Sequence, residues 1–163
     1  MPEPASPYVS HGAQLSLSNL GQLELLRGMN ERGVPLRTTV RGFSMHPFIK
    51  DQDVLTISPI HDSEPQVGDV VAFIHPHTGK LVIHRVITRT AAGWQLKGDN
   101  STETDLLSAR EHIIGRVTRI ERKGQDVRLG LGLERRLIAA LTRYQILTIL
   151  KKLRLICRRL HST

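Results

Sequence analysis

The sequence predicts a mainly β protein with a helix at each end. Three observations predict it. From Val34 onward, short runs rich in β-branched residues alternate with Gly, Asp and Asn turn signals at close spacing. Before them, Leu20, Leu23, Leu26 and Met29 recur at helical spacing within "SNLGQLELLRGMNERG". After them, residues 132–163 repeat apolar and basic residues in the pattern of a long amphipathic helix. A chain of 163 residues suits one domain with a sizeable core plus appendages. The expected organisation is a flexible stretch over 1–16, a helix over 17–33, a β-rich domain over 34–131 and a basic helix over 132–163.

Residues 1–16 are rich in Pro and Ser and are expected to be poorly ordered. They carry neither the basic nor the apolar region of a signal peptide, so none is expected. In the helix that follows, Ser18 can cap the start and Gly33 can end it. The strands are then "VPLRTTVRG", "DVLTIS", "VGDVVAFI", "KLVIHRVITR", "GWQLKGD" and "IIGRVTRIER". A further strand in "QDVRLGL" would pair back across Lys123-Gly124. Several short strands in succession suit a β-sheet assembly or barrel.

The net charge of +8 sits in the tail. Residues 133–163 hold 8 Lys/Arg against 1 Asp/Glu, and the rest of the chain holds 15 against 14. Leu133, Leu137, Ala140, Tyr144, Leu147, Leu150, Leu153 and Ile156 lie near one helical face, with arginines and lysines on much of the remainder. Such a helix suits three neighbours equally: its own domain, a second copy in a homodimer, or an anionic membrane surface reached through residues 133–160. No window is long and uncharged enough to span a bilayer, since Arg143 interrupts the best attempt, Leu137 to Leu150. A cytoplasmic protein, or one peripheral to the cytoplasmic membrane, is therefore expected. Cys157 is the one cysteine, so an intrachain disulfide is excluded and a reducing compartment fits. Aromatic residues make up 4% of the chain, too few for a base-stacking surface, so nucleic acid is not an expected partner.

The stretch "VRGFSMHPFI" places Ser44 between Gly42 and Pro47. A serine so placed is either part of a turn or a nucleophile held rigid by its backbone. A nucleophilic hydroxyl needs a base to take its proton. His84 is one candidate, in the apolar strand "LVIHRVI", where a hydrogen-bonded structural imidazole is the plainer reading. "LKGDNSTETD" offers two carboxylates, Asp99 and Asp105, either of which could orient an imidazole. Taken singly, each reads as a turn-former or a solvated loop charge. His75 and His77 in "HPHTGK" form a pair without a third metal ligand nearby, and no metal or cofactor is expected.

Together these pieces match an ordered pattern. Gly-x-Ser-Met-x-Pro, Val-Gly-Asp-Val-Val-x-Phe, His-Arg-Val, Lys-Gly-Asp-Asn with a later Asp, and Ile-x-Gly-x-Val follow one another. Over about residues 34–123 the chain resembles the signal-peptidase superfamily of serine endopeptidases. It is most similar to the endoplasmic-reticulum-type branch, where histidine replaces the usual lysine base. The resemblance implies a fold of coiled antiparallel β-sheets and an extended peptide substrate bound along a strand edge. It implies Ser44 as nucleophile and His84 as general base. It implies Asp105 as the triad acid, preferred over Asp99, which would support the site. The Ser44 N–H would hold the oxyanion. Gly42 stands where some bacterial relatives have a serine that supplies a second donor, and Met45 would lie buried beside the site.

Some features depart from the pattern. No N-terminal membrane anchor of the family's kind is expected, and Gln52 stands where relatives often have glycine. Lys97 falls outside the position of the family lysine. The self-cleaving repressor peptidases, which use that lysine, rank lower because no helix-turn-helix pattern is clear. The expected function is a serine endopeptidase of signal-peptidase type. The alternative is a catalytically inactive peptide-binding module tethered by its basic helix.

Overall fold

The computed structural model describes residues 9–10, 28, 32–60, 63–104, 108–146 and 149. Among these, the strands are β1 (Val9–Ser10), β2 (Leu36–Thr39), β3 (Val54–Pro59), β4 (Val70–Ile74), β5 (Leu81–Thr90), β6 (Gly93–Lys97), β7 (Ile113–Arg122) and β8 (Gln125–Asp126). They form one sheet in the order β1-β2-β3-β7-β4-β5-β6, with β8 paired to β7. Every pairing is antiparallel except β1 with β2. A 3-10 turn at Arg110–His112 leads into β7, and one helix, α1 (Arg135–Arg143), follows the sheet.

The strands form where the β-branched runs predict them. Strand β4 shows why its run is continuously apolar rather than alternating. All five of its residues are buried. Val70 and Ala72 pack with Leu36, Leu55, Ile57, Val117 and Ile120 in one core. Val71 and Phe73 pack with Ile60, Val86, Trp94, Leu96 and Ile113 in another. A strand covered on both faces has no side left for polar residues. The connections obey turn chemistry as well. Lys123 (φ 51°) and Gly124 (φ 77°) join β7 to β8, the paired left-handed geometry of a two-residue hairpin.

The segment between β2 and β3 carries Ser44, and two devices hold it. Met45 and Ile49 anchor it in the first core. The Asp51-Gln52-Asp53 corner ties down its ends. Asp51 Oδ1 accepts from Gly42 N–H at 2.8 Å, and Asp53 Oδ2 accepts from Lys50 N–H at 2.7 Å. Arg122 of β7 donates to both Asp53 oxygens, at 2.8 and 2.7 Å, and to Phe48 O at 3.0 Å. Gln52 adopts φ 67°, the left-handed conformation that glycine reaches most cheaply.

Two expectations need adjustment. Val9–Ser10, in the stretch expected to be poorly ordered, forms a short parallel strand on Leu36 and Arg37. The tail was expected as one unbroken helix, but regular helix ends at Arg143. Tyr144 N–H reaches back to Ala140 O, Gln145 turns left-handed at φ 58°, and helical bonding resumes with Ile149 N–H to Gln145 O. Most of the predicted N-terminal helix (residues 17–27 and 29–31) lies outside the described residues, as do residues 150–163 and Cys157.

Burial works to raise the Asp53 carboxyl, but hydrogen bonds from Arg122 and Lys50 outweigh it and hold the group below its usual range. A depressed folded-state value stabilises the fold fully above the ordinary value near 3.8, and that stabilisation fades as pH falls through the folded value. Asp53→Asn is therefore expected to cost about 2–3 kcal/mol at neutral pH. The gap from wild type should close on acidification toward pH ~3, read by urea unfolding at both pH values.

Candidate active site

Gly42 reaches φ 106°, a conformation that side chains rarely adopt, and so turns the chain toward Ser44. Ser44 itself is exposed, while its neighbour Met45 is buried. His46 N–H donates to Phe43 O and Ile49 N–H to Met45 O, which coils the loop just beyond the serine. The serine hydroxyl is thus carried on a short coil whose base is bolted into the core.

His84 lies in β5, opposite Val71 of β4, and is buried with its ring 6.0 Å from that of Phe73. The turn after β6 brings these two elements together. Asn100 N–H donates to Ser44 O at 2.7 Å, and Asn100 Nδ2 donates to Phe43 O at 3.1 Å. Gly98 fills the space between the serine and the histidine. A Cβ on it would lie 2.7 Å from Ser44 O, 3.0 Å from His84 Nε2 and 2.5 Å from Ser101 Oγ. Only a residue without a side chain fits that gap. Ser44 and His84, on separate elements of the chain, therefore meet around one glycine.

Beneath this junction runs a buried polar network. Arg85, next to His84, donates from Nε to Asp99 Oδ1 at 2.8 Å and from Nη2 to Asp99 Oδ2 at 2.7 Å. Both side chains are fully shielded from solvent. Arg85 Nη1 donates to Gly68 O and Gly130 O, and Thr142 of α1 donates its hydroxyl to Asp99 Oδ1 at 2.8 Å. The Asp99 carboxylate thus faces Arg85 and Thr142, a bidentate pair with further donors and acceptors of the kind a buried charge requires. Asp105 lies outside the described residues.

Open space borders the serine. A cavity of about 430 Å³ is lined by Thr38 to Gly42, Ser44, Met45 and Leu81 to Ile83. Strand β6 pairs with β5 only from Arg85 onward, and β1 reaches β2 only at Leu36 and Arg37. Among the described residues, the strand edges at 38–39 and 81–83 that flank the cavity carry no strand partner on that side. Gly42 and Met45, the two residues expected beside the hydroxyl, both line it.

Other candidates sit elsewhere. Lys97 is directly opposite Arg85 in the sheet, so the two share a face while adjacent His84 takes the other. Burial holds the Lys97 ammonium below its ordinary range. His75 and His77 occupy the β4–β5 turn, where Gly79 N–H closes onto His75 O at 2.8 Å. Among the described residues no group of three or more His, Cys, Asp or Glu gathers as a metal site. Sequence reasoning passed over Arg85, Asn100 and Thr142. Arg85 had a signal, a permanent cation in the middle of an apolar strand. The other two had none, because their partners are set by folding.

Removing one member of the buried pair strands the other's charge. Asp99→Leu is expected to destabilise by about 3–5 kcal/mol, and Arg85→Met/Asp99→Leu to regain at least ~1 kcal/mol of that loss, by urea unfolding.

A family model described as Peptidase S24-like matches residues 15–118. No curated protein matches the chain. The matched stretch takes in the Ser44 loop, His84 and the turn at Gly98–Ser101, which are the parts that meet in the fold. It covers more than half of the chain, and the β architecture agrees with it. The chain therefore belongs to the Peptidase S24-like family, within the signal-peptidase superfamily.

Proposed function

We propose that the protein is a serine endopeptidase that hydrolyses a peptide bond in an extended protein segment, with Ser44 as nucleophile and His84 as general base. The observation that carries this reading is the junction at Gly98, where the serine backbone and His84 Nε2 both lie within contact of one Cβ position. The Ser44 backbone and the His84 imidazole gathered at one point support a reading in which the serine hydroxyl yields its proton to that imidazole during acyl transfer.

The substrate would lie extended in the cavity between the strand edges at 38–39 and 81–83, adding main-chain hydrogen bonds to both. Ser44 Oγ would attack the scissile carbonyl carbon as His84 accepts its proton. The oxyanion that forms would take a hydrogen bond from the Ser44 N–H. His84 would pass the proton to the leaving amine, and water activated by the same imidazole would release the acyl group. The chemistry draws on side chains and backbone alone. Histidine in the base position favours the endoplasmic-reticulum-type branch over the lysine-using repressor peptidases. Asp105 is the carboxylate that the family pattern assigns to orient the imidazole. Asp99 acts through Arg85 as a positioning residue, since both its oxygens are engaged there.

Purified protein should cleave extended peptides in a diverse library, with products identified by mass spectrometry. Ser44→Ala should abolish cleavage, and His84→Ala should cost roughly 10³-fold or more in kcat/KM. Equal cleavage by wild type and Ser44→Ala rejects the assignment, and a loss of only a few-fold in His84→Ala removes the imidazole from the base role.

Gly98→Ala gives an independent check on the junction. Its methyl would push Ser44 and His84 apart, so kcat should fall about 10²-fold while KM changes little. Thermal denaturation of the same variant establishes that the fold is retained.

A further inference from the structure

The helix α1 does not bury the apolar face that its sequence pattern singles out. Ile138, Ala139 and Thr142 face the sheet and are buried. Leu137 and Ala140 lie on the other side, in line with Leu133 in the turn just before the helix and Tyr144 just after it. Leu133 is 101% exposed, Leu137 64% and Tyr144 66%. Exposed Arg136 and Arg143, two turns apart, flank this stripe, and the Arg143 guanidinium stands 5.8 Å from the centre of the Tyr144 ring. Packing on its own domain, one of the three neighbours considered from sequence, is thereby removed for these residues.

We propose that this stripe is a docking surface for an anionic membrane. Charge decides between the two remaining neighbours. Residues 133–163 carry 8 Lys/Arg against 1 Asp/Glu, so pairing two copies through this face would set like charge against like. A bilayer containing anionic lipid removes that conflict. Leucine and tyrosine side chains enter the headgroup boundary while flanking arginines remain at phosphate level. The chain that follows, "LKKLRLICRRL", extends the same alternation of apolar and cationic residues. Among the described residues no helix is long and apolar enough to cross a membrane.

Docking would also position the candidate active site. Thr142 bonds Asp99, and Gln145 Nε2 donates to Thr102 O at 3.1 Å, so the end of α1 is fastened to the turn after β6, whose Asn100 N–H bonds Ser44 O. In this placement, which alone rests on the peptidase reading, substrates are extended segments close to the bilayer. Membrane binding itself is read without substrate and stands apart from catalysis.

The test is co-sedimentation of the full chain with vesicles of phosphatidylcholine containing roughly one-quarter phosphatidylglycerol, against pure phosphatidylcholine. Wild type should partition onto the anionic vesicles at least about tenfold more strongly, with added salt weakening the binding. Leu133→Glu/Leu137→Glu should lower that partition at least about tenfold, with an unchanged melting temperature because both side chains are exposed. Arg136→Gln/Arg143→Gln should weaken binding several-fold on the anionic vesicles only. Absence of sedimentation, or equal sedimentation of wild type and Leu133→Glu/Leu137→Glu, overturns the proposal. So does a dimer in light scattering that Leu133→Glu/Leu137→Glu dissolves while vesicles are ignored, which would assign the stripe to a second copy.

Discussion

The buried pair between Arg85 and Asp99 is the constraint on which the rest of the molecule turns. A guanidinium and a carboxylate withdrawn from water are tolerable only if every donor and acceptor finds a partner. Here the requirement recruits five separate parts of the chain: β5, the turn after β6, the segment around Gly68, the segment around Gly130, and the helix α1. None can shift without breaking a buried hydrogen bond. Because Arg85 adjoins His84 and Asp99 adjoins Gly98, this demand for satisfaction also fixes the backbone on which the imidazole and the glycine junction sit. Stability and site geometry are thus served by one set of contacts.

A second anchor works from the other side. The Ser44 loop has Met45 and Ile49 in one core and its backbone tied to Asp51, Asp53 and Arg122. Asn100 then closes the distance between the two anchored bodies with two hydrogen bonds, to Ser44 O and Phe43 O. A reactive hydroxyl gains most from such an arrangement when its surroundings are rigid before substrate arrives. Rigidity in this protein comes from polar groups beneath the site and apolar ones beneath the loop, leaving the cavity itself free.

How much of this was legible in the sequence depended on whether the signal was local. The strands from Val54 to Arg122 were legible because β-branched runs and turn residues mark them directly. The hairpin at Lys123-Gly124 was legible for the same reason. Strand β1 was not, since two residues in a Pro- and Ser-rich stretch carry no period and their pairing depends wholly on the free edge of β2. The end of regular helix at Arg143 was hidden too, because neither Gln145 nor its neighbours are residues that commonly stop a helix. At the site, Ser44 and His84 stood out through the ordered motifs. Asp99 read as a turn-former, and its true partner lies fourteen residues away on another strand. Only the sheet register, which sets Arg85 opposite Lys97, brings the two within reach. The outward stripe of α1 was seen as apolar but not as exposed, since a helical period says which residues share a face and not what that face meets.

The hydroxyl of Thr142 carries a consequence for where this molecule can be cut. The family match stops at residue 118, yet an acceptor in the interior is completed by a donor from beyond it, and Gly130 supplies a carbonyl to the same cluster. Evolutionary likeness and mechanical completeness therefore end at different places. A minimal fragment designed on likeness alone would be excised through its own keystone, whereas one extended past Gln145 keeps the whole arch.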